Sequence, residues 1–283
     1  QPFFHEGFRE RIAIRFQQRY VDAIHIGIHY SGHDAFTSRS LCCECHVHSS
    51  YCAIRDKHHT YIKNYYPYIP NGQKLEYQWR IIATQAWEQH FKEGKTNPVQ
   101  SRYFLPRETE QFFDDKADWA NINNLSDQAE HQEKITSLKQ ALRQQQLKYY
   151  DSGLIPEDMR NRRATKHGLT LYELVRDPQL YPLEQYLDAA DLALTADSAK
   201  LPQFVKNLTN PDGGIRWWAI NGLKNLGSKA KPAQKEILHA AHNDPAQEVR
   251  ILAAWILHDF GDVETYREII NSIKKTGIES KSH

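Results

Sequence analysis

The feature that most constrains the fold of this chain is an internal repeat with an offset of 34 residues. Its first copy spans residues 210–227 and its second spans residues 244–261. Each copy opens with Asn-Pro or Asp-Pro, and proline suits the first turn of a helix. Each copy closes with a glycine, which permits the left-handed conformation that ends many helices. The repeat therefore predicts two equivalent helices.

Apolar residues inside each copy recur with helical spacing. The aligned positions are Ala219 and Leu223 in the first copy and Ala253 and Leu257 in the second. The apolar segment 237–241 predicts an intervening helix, and we expect Arg216 and Arg250, near the helix starts, to pair with neighbouring acids. Helix pairs of this kind bury their apolar stripes against neighbouring pairs. We therefore predict HEAT-like helical repeats over residues 177–283.

The middle of the chain contains both strand and helix patterns. The β-branched and aromatic run Tyr61–Tyr66 predicts a strand, and Phe112–Asp114 predicts a second, shorter one. Helices are predicted over residues 83–93, ended by Gly94, and after the capping pair Ser126-Asp127. The apolar face of the latter helix comprises Ile135, Leu138, Leu142 and Tyr149. Strands followed by helices predict an α+β fold.

Residues 1–52 differ from the remainder in composition. The cysteines of the chain are Cys42, Cys43, Cys45 and Cys52, and His46 and His48 lie among them. Three interpretations stay open: a metal site, disulfides formed in an oxidising compartment, or an irregular stretch without chemistry of its own. Adjacent Cys42-Cys43 does not match the paired spacing of zinc ligands. We favour the third interpretation, with an insertion or a reading-frame slip as its origin.

The charge balance limits the partners of this chain. It carries 36 Lys and Arg against 35 Asp and Glu, a net charge of +1, so bulk electrostatics favour neither nucleic acid nor a membrane surface as a partner. No apolar run reaches the roughly 18 residues of a membrane-spanning helix. The sequence opens at Gln1 rather than at a methionine, so we expect it to be the downstream part of a longer product.

Several short motifs follow one another in order after residue 52. Residues 53–67 contain Arg55-Asp56, then Tyr-Ile-Lys-Asn-Tyr and a proline. This stretch resembles R-D-x-x-Y-K-Y-I-R-N-Y-x-P, near the start of the C-terminal subdomain of type I, formylglycine-dependent sulfatases. Residues 113–125 resemble the family's Y-D-L-x-x-D-P-x-E-x-x-N-L, although Trp119 and Asn121 replace its proline and glutamate. Motifs between residues 153 and 184 match a sulfatase subgroup with extra C-terminal helices.

The resemblance implies an organisation and an activity. Residues 1–52 are the atypical Cys/His-rich stretch, and residues 53–176 resemble a sulfatase C-terminal subdomain with a small antiparallel sheet and flanking helices. Residues 177–283 carry the HEAT-like helical repeats. The implied activity is hydrolysis of sulfate esters of glycans, in the periplasm or outside the cell.

Catalysis in sulfatases, as the resemblance implies, needs groups that this sequence lacks. The nucleophile is a formylglycine made from the Cys or Ser of C/S-x-P-S/A-R, and a calcium ion neutralises the sulfate oxygens. That motif is missing from the 283 residues. We therefore expect no catalytic residue, metal ligand or cofactor in this chain, which by itself should be catalytically silent. Formylglycine and calcium are expected in an N-terminal sulfatase domain, which would be its partner.

We expect this chain to form part of the substrate pocket. The candidate substrate-binding residues are Tyr66, Tyr68, Gln73 and Trp79. Aromatic rings stack on pyranose faces, and side-chain amides bond to hydroxyl or sulfate groups. The alternative is that these rings simply cover the sheet. We call the segment 64–79 the predicted rim.

Two functions of other classes compete with this interpretation. One is a helical-repeat module for protein interaction, without enzymatic activity. The other is a metal-binding protein that uses the cysteines and histidines of residues 42–52.

Overall fold

A computed structural model describes residues 39–42, 51–72 and 76–279, with the side chains of residues 51–72 and 76–273. Residues up to Gln146 form one compact unit, and those from Leu147 onward form another. The predicted α+β class is confirmed, because a small antiparallel sheet precedes a series of helices. The predicted boundary at residue 176 lies inside the second unit, and the assignment of residues 53–176 to one subdomain stays a prediction.

Four strands form a sheet in the described part of the first unit. They are β1 (Arg39–Cys42), β2 (Tyr51–Arg55), β3 (His59–Asn64) and β4 (Glu110–Asp114). Each pairs antiparallel with the next in the order β1-β2-β3-β4, and Tyr61 lies opposite Phe112 across β3 and β4. The strands predicted at 61–66 and 112–114 are confirmed. β3 nevertheless ends at Asn64, because Tyr65 and Tyr66 lead into the turn at Pro67.

The helices of the first unit confirm one predicted helix and shift the start of another. They are α1 (Glu76–Trp79), α2 (Ile82–Lys92), α3 (Pro98–Ser101) and α4 (Gln132–Lys148), of which the last two residues belong to the second unit. The predicted helix over residues 83–93 is α2, and Gly94 follows it with a φ of 68°. The start of α4 at Gln132 differs from the predicted cap at Ser126-Asp127, because a 3₁₀ turn at Ala129–His131 comes first.

The buried face of α4 matches the predicted apolar face, with one exception. Ile135, Leu138 and Leu142 are at most 4% exposed. Tyr149, predicted to continue that face, lies beyond the end of the helix and is 66% exposed. The prediction for Tyr149 is therefore wrong, because α4 ends at Lys148 before the ring can turn toward the core.

Helices make up most of the second unit. They are α5 (Glu157–His167), α6 (Leu171–Leu174), α7 (Leu183–Leu194), α8 (Leu201–Asn207), α9 (Gly213–Leu226), α10 (Gln234–Asn243), α11 (Gln247–Asp259) and α12 (Val263–Glu279). The two copies of the repeat fall on α9 and α11, with α10 between them. Ala219 is 2% exposed, while Leu223, Ala253 and Leu257 are completely buried. The copies thus form equivalent helices, and their assignment to the HEAT class stays a prediction.

A buried ion pair links the starts of the two copies. Arg216, in the first turn of α9, donates from Nε and Nη2 to the carboxylate of Asp244 at 2.8 and 3.0 Å. The two side chains are only 10% and 3% exposed, so the expected acid partner of Arg216 is confirmed. For Arg250 that expectation is wrong, because this guanidinium donates to the carbonyl of Ala241 and the hydroxyl of Ser272.

Candidate functional site

The predicted rim begins where β3 ends, and hydrogen bonds fix its first residue. The main-chain N–H of Asn64 donates to the carbonyl of Thr109 at 2.8 Å. The Nδ2 of Asn64 donates to the carbonyl of Glu108 at 2.6 Å. Since Asn64 is 2% exposed, these bonds satisfy an otherwise buried polar side chain. The chain therefore enters the rim from a fixed position beside the start of β4.

Arg107 holds the turn that follows. Its main-chain N–H donates to the carbonyl of Pro67 at 2.7 Å. Its guanidinium donates from Nε to the carbonyl of Ile69 at 3.0 Å and from Nη2 to that of Tyr66 at 3.3 Å. The side chain is 9% exposed. One buried arginine thus orders three carbonyls of the turn, which sequence reasoning did not identify.

Gly72 marks a close approach between the turn and the segment before β4. Its N–H donates to the carbonyl of Tyr103 at 2.7 Å. A Cβ atom built on Gly72 would lie 2.4 Å from the ring of Tyr103, which only glycine avoids. Tyr103 thereby joins the turn to the aromatic rings around it.

Those rings form an aromatic cluster, the part of the site that contains Trp79. Its members are Trp79, Trp87, Phe91, Tyr103 and Phe104. Tyr103 stacks on Trp87 with centroids 4.7 Å apart and on Trp79 at 6.4 Å. The Nε1 of Trp79 donates to Glu88 Oε2 at 2.9 Å, and Gln78 Nε2 donates to the hydroxyl of Tyr103 at 2.6 Å. The position of Trp79 is therefore set by the rings and by two polar side chains.

The structure places the predicted rim residues in two groups. Tyr66 and Tyr68 lie together, with ring centroids 6.2 Å apart, whereas Trp79 belongs to the aromatic cluster. Gln73 lies outside the described residues. Tyr66 is 6% exposed, and Tyr68 and Trp79 are half-buried. Burial raises the pKa of Tyr68, and the neighbouring Tyr66 raises it further, so the Tyr68 hydroxyl stays protonated and able to donate.

Sequence reasoning missed Arg107, Tyr103 and Phe104, which support the rim. The spacing of Trp87 and Phe91, four residues apart on one helix, was an available signal for a ring surface on α2. No comparable signal joins residues 102–107 to residues 66–72, because that pairing arises only when β4 aligns with β3. Substrate binding by the rim residues stays a prediction.

The metal hypothesis involves a segment that is largely undescribed. Cys43, Cys45, His46 and His48 lie outside the described residues, as does the side chain of Cys42. Cys52 lies in β2 and is 3% exposed, with Gln146 Nε2 at 3.5 Å from its sulfur. Among the side chains that the structure describes, no group of three His, Cys, Asp or Glu residues is placed to hold a metal ion.

The comparison with known proteins gives one partial match. The chain is 33% identical over 110 residues to an ulvan-active sulfatase of Formosa agariphila. The match covers 37% of this chain and 18% of that relative. No family model and no solved structure matches the chain. Within residues 39–42, 51–72 and 76–279, no helix has the length and hydropathy of a membrane span. The chain is therefore related to a sulfatase over part of its length.

Proposed function

We propose that this chain is the C-terminal part of a longer sulfatase that hydrolyses sulfate esters of glycans. The observation that carries the proposal is the 33% identity to the ulvan-active sulfatase. The ordered motifs over residues 53–67 and 113–125 also support it. Because the match covers only 18% of that relative, the activity belongs to the whole protein, which we place in the periplasm or outside the cell.

In this proposal the chain helps to bind the substrate and does not supply the nucleophile. The C/S-x-P-S/A-R motif is absent from the sequence, so formylglycine and calcium belong to an N-terminal sulfatase domain, which is the partner. The half-buried rings of Tyr68 and Trp79 supply faces for a pyranose. Arg107 and Gly72 hold the turn that carries Tyr68, and a fixed turn lowers the cost of ordering the site on binding.

The second unit, in this proposal, is a HEAT-like appendage of the sulfatase. Its support is the spacing of α9 and α11, whose buried Leu223 and Leu257 lie 34 residues apart. The same observation supports the alternative function, a helical-repeat module for protein interaction without enzymatic activity. Stacked helix pairs commonly present an extended surface to partners.

Sulfate release decides between these two functions. We expect this chain alone to release no sulfate from 4-methylumbelliferyl sulfate or from ulvan. The native product that contains it, produced together with a formylglycine-generating enzyme, should release sulfate from ulvan. Turnover by the chain alone that survives repurification would contradict the division of roles, and a native product without sulfate release would favour the interaction module.

Variants of the native product test the rim itself. Tyr68→Ala and Trp79→Ala should each raise KM for a sulfated oligosaccharide by about tenfold, equivalent to about 1.4 kcal/mol of binding free energy. Trp119→Ala is the matched control, because its ring is 63% exposed and lies outside the predicted rim. An unchanged KM in both rim variants would mean that these rings only cover the sheet.

A further inference from the structure

We propose that exposed tyrosines around Arg176 form a second binding surface, which holds a sulfated sugar of a glycan chain. We call it the tyrosine surface, and its members are Lys148, Tyr149, Tyr150, Tyr172 and Arg176. All five belong to the second unit. The identity of the ligand, a sulfated glycan, rests on the proposed function, whereas the surface itself is defined by the contacts below.

The tyrosine rings are unusually exposed. Tyr149 is 66% exposed, Tyr172 is 67% exposed and Tyr150 is 40% exposed. Within the described part of the chain, none of their hydroxyl groups makes a hydrogen bond. Clustered apolar surface rimmed by polar groups marks interaction sites, and a tyrosine combines a flat face with a hydroxyl that donates and accepts. Such rings suit a sugar, which has an apolar face and a hydroxyl edge.

Arg176 lies against two of these rings. Its Cζ is 3.4 Å from the ring centroid of Tyr172 and 4.5 Å from that of Tyr150. Its Nη1 donates to the carbonyl of Tyr172 at 3.0 Å, and no carboxylate pairs with it among the described residues. A guanidinium stacked by its face keeps N–H groups at its edge for a planar or tetrahedral oxyanion. Arg176 is therefore positioned to receive a sulfate group.

A second cation and the nearby acids extend this charge pattern. Lys148 Nζ lies 5.3 Å from the ring centroid of Tyr149. Glu173 is engaged locally, since its carboxylate accepts the N–H and the hydroxyl of Thr170 at 2.8 and 2.7 Å. Asp177 likewise accepts the N–H groups of the following turn. The two cations thus lie against exposed rings, while both acids accept hydrogen bonds from groups within their own segments. This arrangement favours an anionic ligand on the tyrosine surface.

The backbone at Tyr150 supplies a further observation. Its φ is 55°, a conformation that is an outlier for an aromatic residue. Strained backbone of this kind persists where surrounding contacts hold it and is concentrated at ligand sites. Tyr150 lies two residues after the end of α4, and its ring centroid is 4.5 Å from the Cζ of Arg176.

Calorimetric titration of the full chain tests the tyrosine surface. The probes are ulvan oligosaccharides, the same oligosaccharides after chemical desulfation, and sodium sulfate. We expect the sulfated oligosaccharides to bind at least about tenfold more tightly than either other probe, because rings and cations act together. Tyr172→Ala and Arg176→Gln should each weaken that binding about fivefold to tenfold without a change in melting temperature beyond a few degrees.

Two matched controls accompany these variants. Trp119→Ala removes a ring that is 63% exposed in the first unit, and Arg267→Gln removes an exposed guanidinium that pairs with Glu264. Both should bind as the wild type does. Wild-type affinity in Tyr172→Ala and Arg176→Gln, or equal affinity for the desulfated probe, would overturn the inference. The proposed function fails separately, through absence of sulfate release by the native product, so the two failures are distinguishable.

Discussion

The two units of this chain are stabilised by different kinds of side chain. In the first unit the fully buried residues of the sheet are mostly rings, including Tyr61, Phe112 and Phe113, and Arg107 ties distant segments together through carbonyls. In the second unit, α9 and α11 bury alanine and leucine at equivalent positions, and Arg216 and Asp244 join the copies.

This difference shows which parts of the fold are determined by residues close together in the sequence. Aliphatic residues at helical spacing specify a helix face within ten or so residues, so the second unit can be predicted from short windows. The rings and polar anchors of the first unit act between residues about 40 apart, and no short window contains both partners. The following variants test whether the two units also respond differently to damage.

The largest effect is expected at the buried ion pair of the second unit. Asp244→Ala leaves the guanidinium of Arg216 without its carboxylate, and removal of one partner of a buried pair costs about 3–5 kcal/mol. It also removes the acceptor of the Ala246 N–H. Urea unfolding measures the change in the free energy of unfolding. Glu264→Ala is the control, because this side chain and that of its partner Arg267 are 86% and 66% exposed, and it should cost about 1 kcal/mol or less; equal costs would contradict the assigned importance of Asp244.

The next effect concerns the aliphatic stripe of α11. Leu257 is completely buried, so Leu257→Ala should lower the free energy of unfolding by about 2–5 kcal/mol. Hydrogen exchange should show early loss of protection in α11 and α12 while β2, β3 and β4 stay protected. Exposed Lys235→Ala should change stability by no more than about 0.5 kcal/mol. Uniform loss of protection in both units would mean one cooperative core.

A moderate loss of stability is expected when Arg107, which holds the turn at residues 66–72, is replaced. Arg107→Ala removes the guanidinium donor of the Ile69 carbonyl and one of the two donors of the Tyr66 carbonyl, which should cost about 1–3 kcal/mol. The loss should appear in hydrogen exchange around residues 66–72, and α9–α11 should be unaffected. Arg80→Ala is the matched control, since Arg80 is exposed and pairs with Glu76, four residues earlier in the sequence. Loss of protection confined to the second unit would show that Arg107 does not hold this turn.

The smallest effect is a pH dependence in the turn between β2 and β3. Burial alone would raise the pKa of Asp56, but Lys134 and the N–H groups of His58 and His59 outweigh it and lower this pKa from 3.8 to about 2. Because the folded pKa is depressed, the stabilisation is complete above pH 3.8 and disappears as the pH falls toward 2. Solvent screens this ion pair, since the side chains of Lys134 and Asp56 are 40% and 23% exposed, so the stabilisation should be below about 1 kcal/mol.

Urea unfolding of the wild type and of Asp56→Asn between pH 5 and pH 2 measures the contribution of the Asp56 carboxylate to the free energy of unfolding. The difference in unfolding free energy between wild type and variant should narrow as the pH falls. A difference that stays constant over that range would show that the carboxylate charge has no part in holding the turn.

The fold was more predictable from the sequence than the candidate site. Ile135, Leu138 and Leu142 lie on one face because their spacing is helical, and Leu223 and Leu257 are buried as their repeat requires. Tyr149 broke the same pattern, because the helix ended one residue earlier. At the site, the sequence predicts one rim that contains Tyr66, Tyr68 and Trp79. The structure instead places Trp79 in the aromatic cluster, in a different group from the two tyrosines. Trp79 stacks on Tyr103, which in turn contacts Phe104. Both residues lie far from Trp79 in the sequence, and strand pairing brings them there.

The measurement that tests the central claim most directly is the sequence of the native reading frame upstream of Gln1. We expect that frame to continue into an N-terminal sulfatase domain with a C/S-x-P-S/A-R motif, and mass spectrometry of the native protein should find formylglycine at its Cys or Ser. A start codon close to Gln1, with no such motif in the native protein, would contradict the sulfatase assignment and leave the helical-repeat module as the function.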